Sequence, residues 1–529
     1  MEETLNDGQK KGFPKKIVAI IIAAVLVIGG GVAAYVMLNL SDKEKYFLSE
    51  KKSMEFLTDK VEERFKPEFD WLEQTENNPT ETVIDLSAEY NDPTASSGYG
   101  AMSPQEIINN STITLTTSAD MEKKQIASEI KGSFGDIEID DVQFYLTDEK
   151  ATIGLPFLEE LLQVKDKDIG KFLHELDPMT FTGEENPNFE VFFKRGLSEE
   201  DQKYFNEEYL KMIYDKLPDS AFKITDETVK INDESVDTKK MTMHLSEDEV
   251  KDILKAIFEK MQKDDRLKEI MQEQIQMQQF GMPADASLDM NFDEMMNDFD
   301  DALKEAQDGL KDFKIPDGIT STIWTKDKLI VKREFSVEMG PTKDQLAKFT
   351  VNGTQKLEDN NQSFDYKLAF SDDYEESSAS VTGDFSTKDD KATDSIKLSA
   401  ENMELAYEGN STLKDGKREF ERQFSIDDQY GDSGKLIWTG NANYEKDKMS
   451  AEHSFSVEFP SLNITQEMAS LHIKNKGKTI KSVEMPKEDN IKDLGSMNVD
   501  ELKNYFETDV APQAQQWFLG IMGGPGMSF

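Results

Sequence analysis

The segment FDYKLAF at residues 364–370 places apolar side chains at every second position. Strict alternation is the pattern of a β-strand that has one face in a core and the other in water. Comparable segments, separated by turn sequences such as Lys414-Asp415-Gly416-Lys417, recur between Ile319 and Phe459. Their spacing predicts a meander of about eight to ten antiparallel strands.

Upstream of this meander the pattern mixes strands with helices. Alternation recurs between Thr112 and Gly154, and Ser246 followed by Glu249 forms a capping box ahead of an apolar stripe that begins at Val250. A capping box satisfies two backbone N–H groups at the start of a helix. We therefore predict strands in the first region and a capped helix after Ser246.

The longest apolar segment is IVAIIIAAVLVIGGGVAAYVMLNL at residues 17–40. It is long enough to cross a hydrocarbon core of about 30 Å. The alternative is a cleaved secretory signal with Val32-Ala33-Ala34 at the cleavage site, but signal h-regions are only about 7–15 residues long. We predict a single transmembrane helix and leave open whether it is ever cleaved.

The lysines around this segment predict its orientation. Four lysines crowd its N-terminal side, whereas those beyond Leu40 are diluted by acidic residues. Positive residues favour the cytoplasmic side. We therefore expect a single-pass protein of the cell membrane, with a cytoplasmic N-terminus and an extracellular C-terminal domain. The small-residue pairs Ala19/Ala23 and Gly30/Ala34 permit a weak homodimer through this helix.

Together these patterns predict an α+β fold: one N-terminal transmembrane helix, then a β-rich ectodomain with one or more large curved antiparallel sheets, or a half-barrel, partly covered by helices. Whether the two β-rich regions form one sheet or two stays open. The predicted segments are a cytoplasmic tail (1–16), the transmembrane helix (17–40), a juxtamembrane helical stalk (41–78), a first mixed α+β domain (79–261), a Met/Gln-rich and acidic helical insertion (262–313), the antiparallel meander (314–485) and a kinked C-terminal helix (486–529).

Composition excludes several classes of function. The formal net charge is -45, from 106 acidic and 61 basic residues, and such a surface repels nucleic acid and anionic lipid headgroups. The chain contains no cysteine, so neither disulfides nor thiol chemistry contributes. An extracytoplasmic domain without cysteine fits a bacterial envelope.

No catalytic motif stands out. The four histidines are far apart in the sequence, which gives no local support for a histidine metal site: His174, His244, His453 and His472. The sequence GDSG at residues 431–434 matches the nucleophile region of trypsin-like proteases, but it falls at an expected hairpin turn without the other segments of that family. We predict that the chain is not an enzyme and has no catalytic residues.

We likewise expect neither a cofactor nor a metal site. The acidic clusters at residues 371–376 and 427–432 raise a calcium hypothesis, yet neither has the alternating ligands of an EF-hand loop. The methionines of the 262–313 insertion lack the tight spacing of a copper(I) site. Solvated hairpin turns and methionines packed between helices are the interpretations we favour, and calcium binding stays open.

The lysine-bearing N-terminus, single spanning helix and acidic cysteine-free ectodomain resemble single-span, membrane-anchored envelope proteins of Gram-positive bacteria that carry a domain of unknown function. The stretches DVQFYL at residues 141–146 and GLPFL at residues 154–158 are also similar in style to lipoprotein-type half-barrels of the lipid-carrier superfamily. These resemblances carry over no functional residue.

We predict a non-enzymatic binding module for a lipid or another hydrophobic envelope component, held at the membrane through residues 17–40. A helix-covered cavity would hold this ligand, lined by Phe364, Tyr366, Leu368, Phe455 and Phe459. The alternative is a scaffold that contacts another envelope protein through an exposed apolar patch.

Overall fold

The computed structural model describes residues 40–91, 103–135, 137–179, 181, 183, 189–194, 198–231, 234–279, 292–428, 433–487 and 490–522. Except for Leu40, the predicted transmembrane segment lies outside these residues, as do the predicted cytoplasmic tail and both small-residue pairs. In the part of the chain that the structure describes, no helix combines the length and apolar character needed to cross a membrane.

Twenty strands within the described residues belong to one hydrogen-bonded sheet. They are β1 (Thr80–Tyr90), β2 (Thr112–Asp120), β3 (Gln125–Phe134), β4 (Ile137–Thr147), β5 (Lys150–Gly154), β6 (Leu161–Lys165), β7 (Phe222–Ile231), β8 (Glu234–Leu245), β9 (Ile319–Lys326), β10 (Leu329–Met339), β11 (Ala347–Glu358), β12 (Asn361–Ser371), β13 (Glu376–Lys388), β14 (Lys391–Ala400), β15 (Met403–Lys414), β16 (Lys417–Asp428), β17 (Ser433–Tyr444), β18 (Lys448–Glu458), β19 (Ala469–Thr479) and β20 (Ile491–Asp493).

The α-helices lie mostly before β1, between β8 and β9, and after β20. They are α1 (Asp42–Arg64), α2 (Lys66–Asn77), α3 (Pro104–Asn109), α4 (Ile169–Leu176), α5 (Glu199–Tyr204), α6 (Lys211–Lys216), α7 (Glu247–Gln262), α8 (Asp265–Gln279), α9 (Phe292–Gly309), α10 (Val499–Tyr505) and α11 (Ala511–Met522). Short π-helical segments, Phe205–Leu210 and Phe506–Val510, join α5 to α6 and α10 to α11. The second precedes Pro512, whose missing N–H interrupts regular helix hydrogen bonding.

The strand order follows from the pairings. From β7 to β19 each strand pairs antiparallel with the next in the sequence, β19 then pairs with β1, and β1 to β6 continue the sheet. The short β20 joins β6 in parallel and ends the row. Sequential antiparallel neighbours need only short turns, which explains the dense punctuation by Asp, Asn, Gly and Lys.

The predicted fold class is wrong. The sequence predicted an N-terminal transmembrane helix followed by an ectodomain with one or more curved antiparallel sheets or a half-barrel, and it left open whether the β-rich regions form one sheet or two. The described residues form one mostly antiparallel sheet of 20 strands. The pairing of β1 with β19 causes the difference, because it joins Tyr90 to Ala469 over a separation that a local pattern cannot show. The division of the chain into seven segments stays a prediction.

The sheet has one apolar and one polar face. Residues in register across successive strands point to the same side of the sheet. One such row contains a single charge: Ile224, Met241, Ile323, Arg333, Gly353, Tyr366, Val381, Leu398, Leu405 and Ile426. The row one residue along faces the other side: Thr354, Asp365, Thr382, Lys397, Ala406, Ser425, Lys435 and Glu458. We call the first side the apolar face and the second the polar face.

Helices cover the two ends of the apolar face. At the β7–β10 end, α7 buries Ile253 and Leu254 against strand residues that include Phe335. The capping box of Ser246 and Glu249 at the start of α7 is confirmed. At the opposite end, Leu502 and Tyr505 of α10 pack with Leu162 of β6.

Helices α1 and α2, here called the strap, lie across the apolar face between these two ends. The Tyr46 hydroxyl donates to Ser321 of β9 at 2.7 Å, and the ring of Trp71 lies against Gly477 of β19. A Cβ at position 477 would approach that ring to 2.5 Å, so glycine permits the contact. The strap is about 54 Å long, close to the roughly 48 Å between β9 and β19 at the usual strand separation.

Ion pairs fix the strap to the sheet. Glu50 of α1 accepts two hydrogen bonds from Arg333 of β10, at 2.8 and 2.5 Å, and both side chains are nearly buried. Burial opposes the charge of Arg333, but the attraction of Glu50 raises the pKa of the guanidinium above its usual value. Removing one partner of a buried pair leaves the other charge uncompensated.

Glu50→Gln is expected to lower the free energy of unfolding by about 3 kcal/mol, because Arg333 then keeps a charge without a counter-ion in an apolar setting. Urea unfolding of the full chain measures this difference. Glu55→Gln is the matched control: Glu55 pairs with Lys52 on the exposed side of the same helix, and its removal is expected to leave stability unchanged. Equal effects of the two substitutions would contradict the anchoring role of Glu50.

Candidate functional site on the apolar face

Between its covered ends the apolar face exposes large hydrophobic side chains. Eight of them, on seven strands from β15 through β19 to β5, are each 36 to 43% exposed: Ile130, Phe144, Ile153, Leu405, Phe424, Ile426, Leu436 and Leu471. The strands from β15 to β5 span roughly 43 Å at the usual strand separation. We call these eight side chains the exposed strip. A contiguous exposed apolar surface of this kind marks a binding site more often than it marks a neutral surface.

The strap adds an apolar wall beside the exposed strip. One flank of α1 and α2 carries side chains spaced three, four or eight residues apart, each 38 to 59% exposed: Met54, Leu57, Val61, Phe69 and Leu72. Phe65 belongs to this flank, and its ring lies 6.0 Å from the Arg422 guanidinium. Since Phe424 and Ile426 follow Arg422 along the same face, the flank is turned toward the exposed strip. From β15 to β19, where the strap ends, strap and strip therefore border one apolar groove, and the strip continues beyond the strap to β5.

Polar groups meet the groove where the strap crosses β14 to β16. Arg64 is ion-paired with Asp394 of β14, and Arg418 of β16 donates to Glu68 at 2.5 and 3.1 Å. Arg418 is only 2% exposed. Burial raises the pKa of Asp394 above its usual value even though Arg64 acts in the opposite direction.

Arg422 lies next to this cluster in an aromatic setting. Its guanidinium carbon is 4.5 Å from the centres of both the Phe420 and the Trp438 rings. Trp438 stacks on Phe455 with 18° between the rings, and its indole N–H donates to His453 Nδ1 at 3.3 Å. Aromatic faces attract cations, which partly offsets the loss of water around Arg422.

His453 stays neutral in this arrangement. Its Nδ1 accepts from Trp438, a role that a protonated imidazole cannot fill. Burial, and secondarily the charge of Arg422, lower the pKa of His453. The unfolded chain therefore takes up a proton at this residue at a higher pH than the folded chain does.

Because His453 remains neutral when folded, stability should fall as the pH drops below about 6.5, the pKa of an unperturbed histidine. Between about pH 7.5 and 5.5, the free energy of unfolding is expected to fall less in His453→Gln than in wild type. The difference between the two decreases is expected to reach about 1 kcal/mol. Urea unfolding at the two pH values measures this. Parallel pH dependences of wild type and variant would contradict the assignment.

The residues predicted to line a closed cavity share one face but do not enclose a single space. Phe364, Tyr366 and Leu368 lie on β12, while Phe455 lies on β18, roughly 29 Å away across the sheet. Phe459 follows β18 and packs over Gly434. The alternation identified side chains of the apolar face correctly, but the ligand space that it borders is an open groove.

The histidines and acidic clusters come together in no shared site. His174 contacts the Phe181 carbonyl, His244 contacts Thr320, and His472 contacts Ser470. In the part of the chain that the structure describes, no group of three or more His, Asp or Glu side chains has a geometry that could hold a metal ion. Asp372 of the first acidic cluster instead accepts N–H bonds from the turn. Parts of the 427–432 cluster and of GDSG lie outside the described residues.

The sequence analysis missed Arg422 and the strap groove. The signal present was the segment REFERQF at positions 418–424, where Arg418, Phe420, Arg422 and Phe424 alternate with polar residues. Two arginines at positions expected to be apolar mark a departure from the binary pattern. That departure identifies a candidate site without revealing its partners.

No family model matches the chain, and no curated protein matches it. Its fold aligns with OmpTdeltaL8, an outer membrane protein of Vibrio cholerae, at 8% identity and a TM-score of 0.20, covering 76% of this chain and 98% of that one. It aligns with Pseudomonas aeruginosa OccK3 at 6% identity and a TM-score of 0.24, covering 76% and 95%. Wzi, an outer membrane protein involved in group 1 capsule assembly in Escherichia coli, aligns at 7% identity and a TM-score of 0.22, covering 88% and 98%.

At these scores the alignments carry no argument about what this chain does. Two of the aligned proteins are described as outer membrane proteins. They give no information on contact through residues 17–40 or on any partner.

The predicted function and localisation are corrected. Within the described residues no helix has the length and the apolar composition to cross a membrane. Instead of a separate module with a helix-closed cavity, these residues form one continuous sheet, on which the predicted lining residues are strands apart. Neither the single-pass module with a closed cavity nor the scaffold alternative is carried forward.

Proposed function

We propose that the chain is a carrier that shields the hydrocarbon chains of amphipathic molecules from water along the open groove between the strap and the exposed strip. One observation carries this proposal: the exposed hydrophobic side chains of seven of the ten strands from β15 to β5 lie on one face of the sheet, and the apolar Phe65 of the strap borders them at Arg422. Each square ångström of apolar surface removed from water contributes about 25 cal/mol. A hydrocarbon chain lying on this strip gains that free energy without a closed pocket.

The groove differs from a pocket that holds one ligand. It is open along its length and crosses the strands from β15 to β5. In the register pairs that lead from Arg422 to Ile153, no residue on the apolar face carries a charge. A neutral amphiphile therefore has several equivalent positions along the sheet. We infer movement across the strands, between β15 and β5, as the mode of action.

The proposal includes no catalysis, in line with the expectation that the chain is not an enzyme. The net charge of -45 repels polyanions. The resemblance to Gram-positive envelope proteins stays a prediction that no comparison tests.

Photo-crosslinking tests the carrier function. The full chain is reconstituted in lipid nanodiscs and labelled with hexadecanol that carries a diazirine in its chain, and the labelled residues are identified by mass spectrometry. We expect labels on several strands of the exposed strip. Ile426→Glu is expected to reduce labelling at least about tenfold, because the new carboxylate would lose its water when the hydrocarbon chain of the probe binds over it.

Ser425→Glu is the matched control, since it adds the same charge one residue away on the polar face. It is expected to label like wild type. Labels confined to the polar face, or equal labelling of Ile426→Glu and Ser425→Glu, would overturn the carrier function. Labels confined to one strand would contradict movement along the sheet.

A further inference from the structure

The arginines of this chain are concentrated at the groove. The sequence contains six, and four of them lie where the strap meets the apolar face: Arg64, Arg333, Arg418 and Arg422. Cations on an otherwise apolar face are costly unless each has a partner.

Three of these four arginines have a carboxylate partner within the chain. Arg333 pairs with Glu50, Arg64 with Asp394, and Arg418 with Glu68. Each pair connects the strap to a strand, so each has a structural role. These carboxylates are therefore already neutralised.

Arg422 has no such partner: among the described residues, no carboxylate lies within ion-pair distance of its guanidinium and no hydrogen bond involves it. It is half-buried between Phe420 and Trp438, each ring centre 4.5 Å from the guanidinium carbon. In register, Gly409 separates it from Asp394, and Trp438 lies on its other side. Its five N–H donors are held in place by the rings, with their hydrogen-bonding capacity unused.

We infer that Arg422 binds the anionic headgroup of a long-chain carboxylate whose hydrocarbon chain lies on the exposed strip. This inference rests on the proposed carrier function and names its preferred ligand class. A planar guanidinium matches a carboxylate with two parallel hydrogen bonds. Phe424 and Ile426 follow Arg422 on the same face, so a headgroup at Arg422 places the chain directly on apolar surface.

Charge balance favours a carboxylate over a phosphate. A single unpaired guanidinium neutralises one negative charge, whereas a phosphate monoester carries about -1.5 to -2 at neutral pH. The excess charge of a phosphate would face Asp394 and Glu68, which lie on the same side of the sheet. A long-chain carboxylate leaves no excess charge in the groove.

A comparison of probes that differ only in their headgroup tests this inference. Full chain in nanodiscs is labelled with diazirine-bearing hexadecanoic acid and, separately, with the corresponding hexadecanol and hexadecyl phosphate. We expect the acid to label the region around Arg422 with about tenfold higher apparent affinity than the alcohol. Arg422→Gln is expected to abolish this preference and to leave labelling by the alcohol unchanged.

Lys435→Gln is the matched control, because it removes one positive charge from the polar face of the neighbouring strand. It is expected to keep the preference of wild type. Arg422→Met, which retains an apolar stem between the rings, gives the same test where the glutamine variant fails to fold, and far-ultraviolet circular dichroism monitors folding of both.

The outcomes separate the two proposals. Loss of the acid preference in Arg422→Gln or Arg422→Met, but not in Lys435→Gln, supports the headgroup site. An acid preference that survives both Arg422 substitutions, equal affinities for acid and alcohol in wild type, or a preference for the phosphate would overturn it while leaving the carrier function. Absence of labelling on the exposed strip by every probe would overturn the carrier function and the headgroup site together.

Discussion

The pairing of β1 with β19 is the contact on which the rest of the structure depends. Its eleven register pairs, from Thr80↔Thr479 to Tyr90↔Ala469, unite strands from the two ends of the described chain in one sheet. Without it, β1 to β6 and β7 to β19 would be separate sheets, each with an additional open edge. Joined, they present an apolar face too wide for the available helices to cover, and the exposed strip follows from that shortfall.

The strap converts this exposed face into a groove. A helix that bound the sheet only through apolar contacts would have many equivalent positions, since one row of aliphatic side chains resembles the next. Pairs such as Glu50–Arg333 and Glu68–Arg418 specify one position, because a displaced strap would leave buried charges without partners. The same pairs hold Phe65 of the strap beside Arg422, where the exposed strip begins. The ion pairs between strap and sheet therefore both specify the position of the strap and supply the polar groups beside the apolar groove.

Arg422 shows how a departure from the binary pattern marks a site. Natural sequences violate their local rules mainly where function requires it. On β16 the alternation of Phe420, Phe424 and Ile426 calls for an apolar residue at 422, and arginine occupies the position between two aromatic rings. Its neighbour Arg418 departs from the pattern too, but a carboxylate of the strap explains it.

Local periodicity and turn chemistry were enough to predict the strands between Thr112 and Gly154 and between Ile319 and Phe459, the capped helix after Ser246 and the side chains that form the apolar face. They did not predict β1 or β19. The sequence by itself also suggested a closed cavity lined by residues such as Phe364 and Phe455, which was wrong, since alternation assigns a residue to a face but not to a neighbour. The tertiary structure was needed to show that one sheet contains all the described strands, that the strap lies across it, and that Arg422 has no carboxylate partner among the described residues. Each of these depends on contacts between residues far apart in the chain, whose free energy is visible only once the strands and helices are assembled.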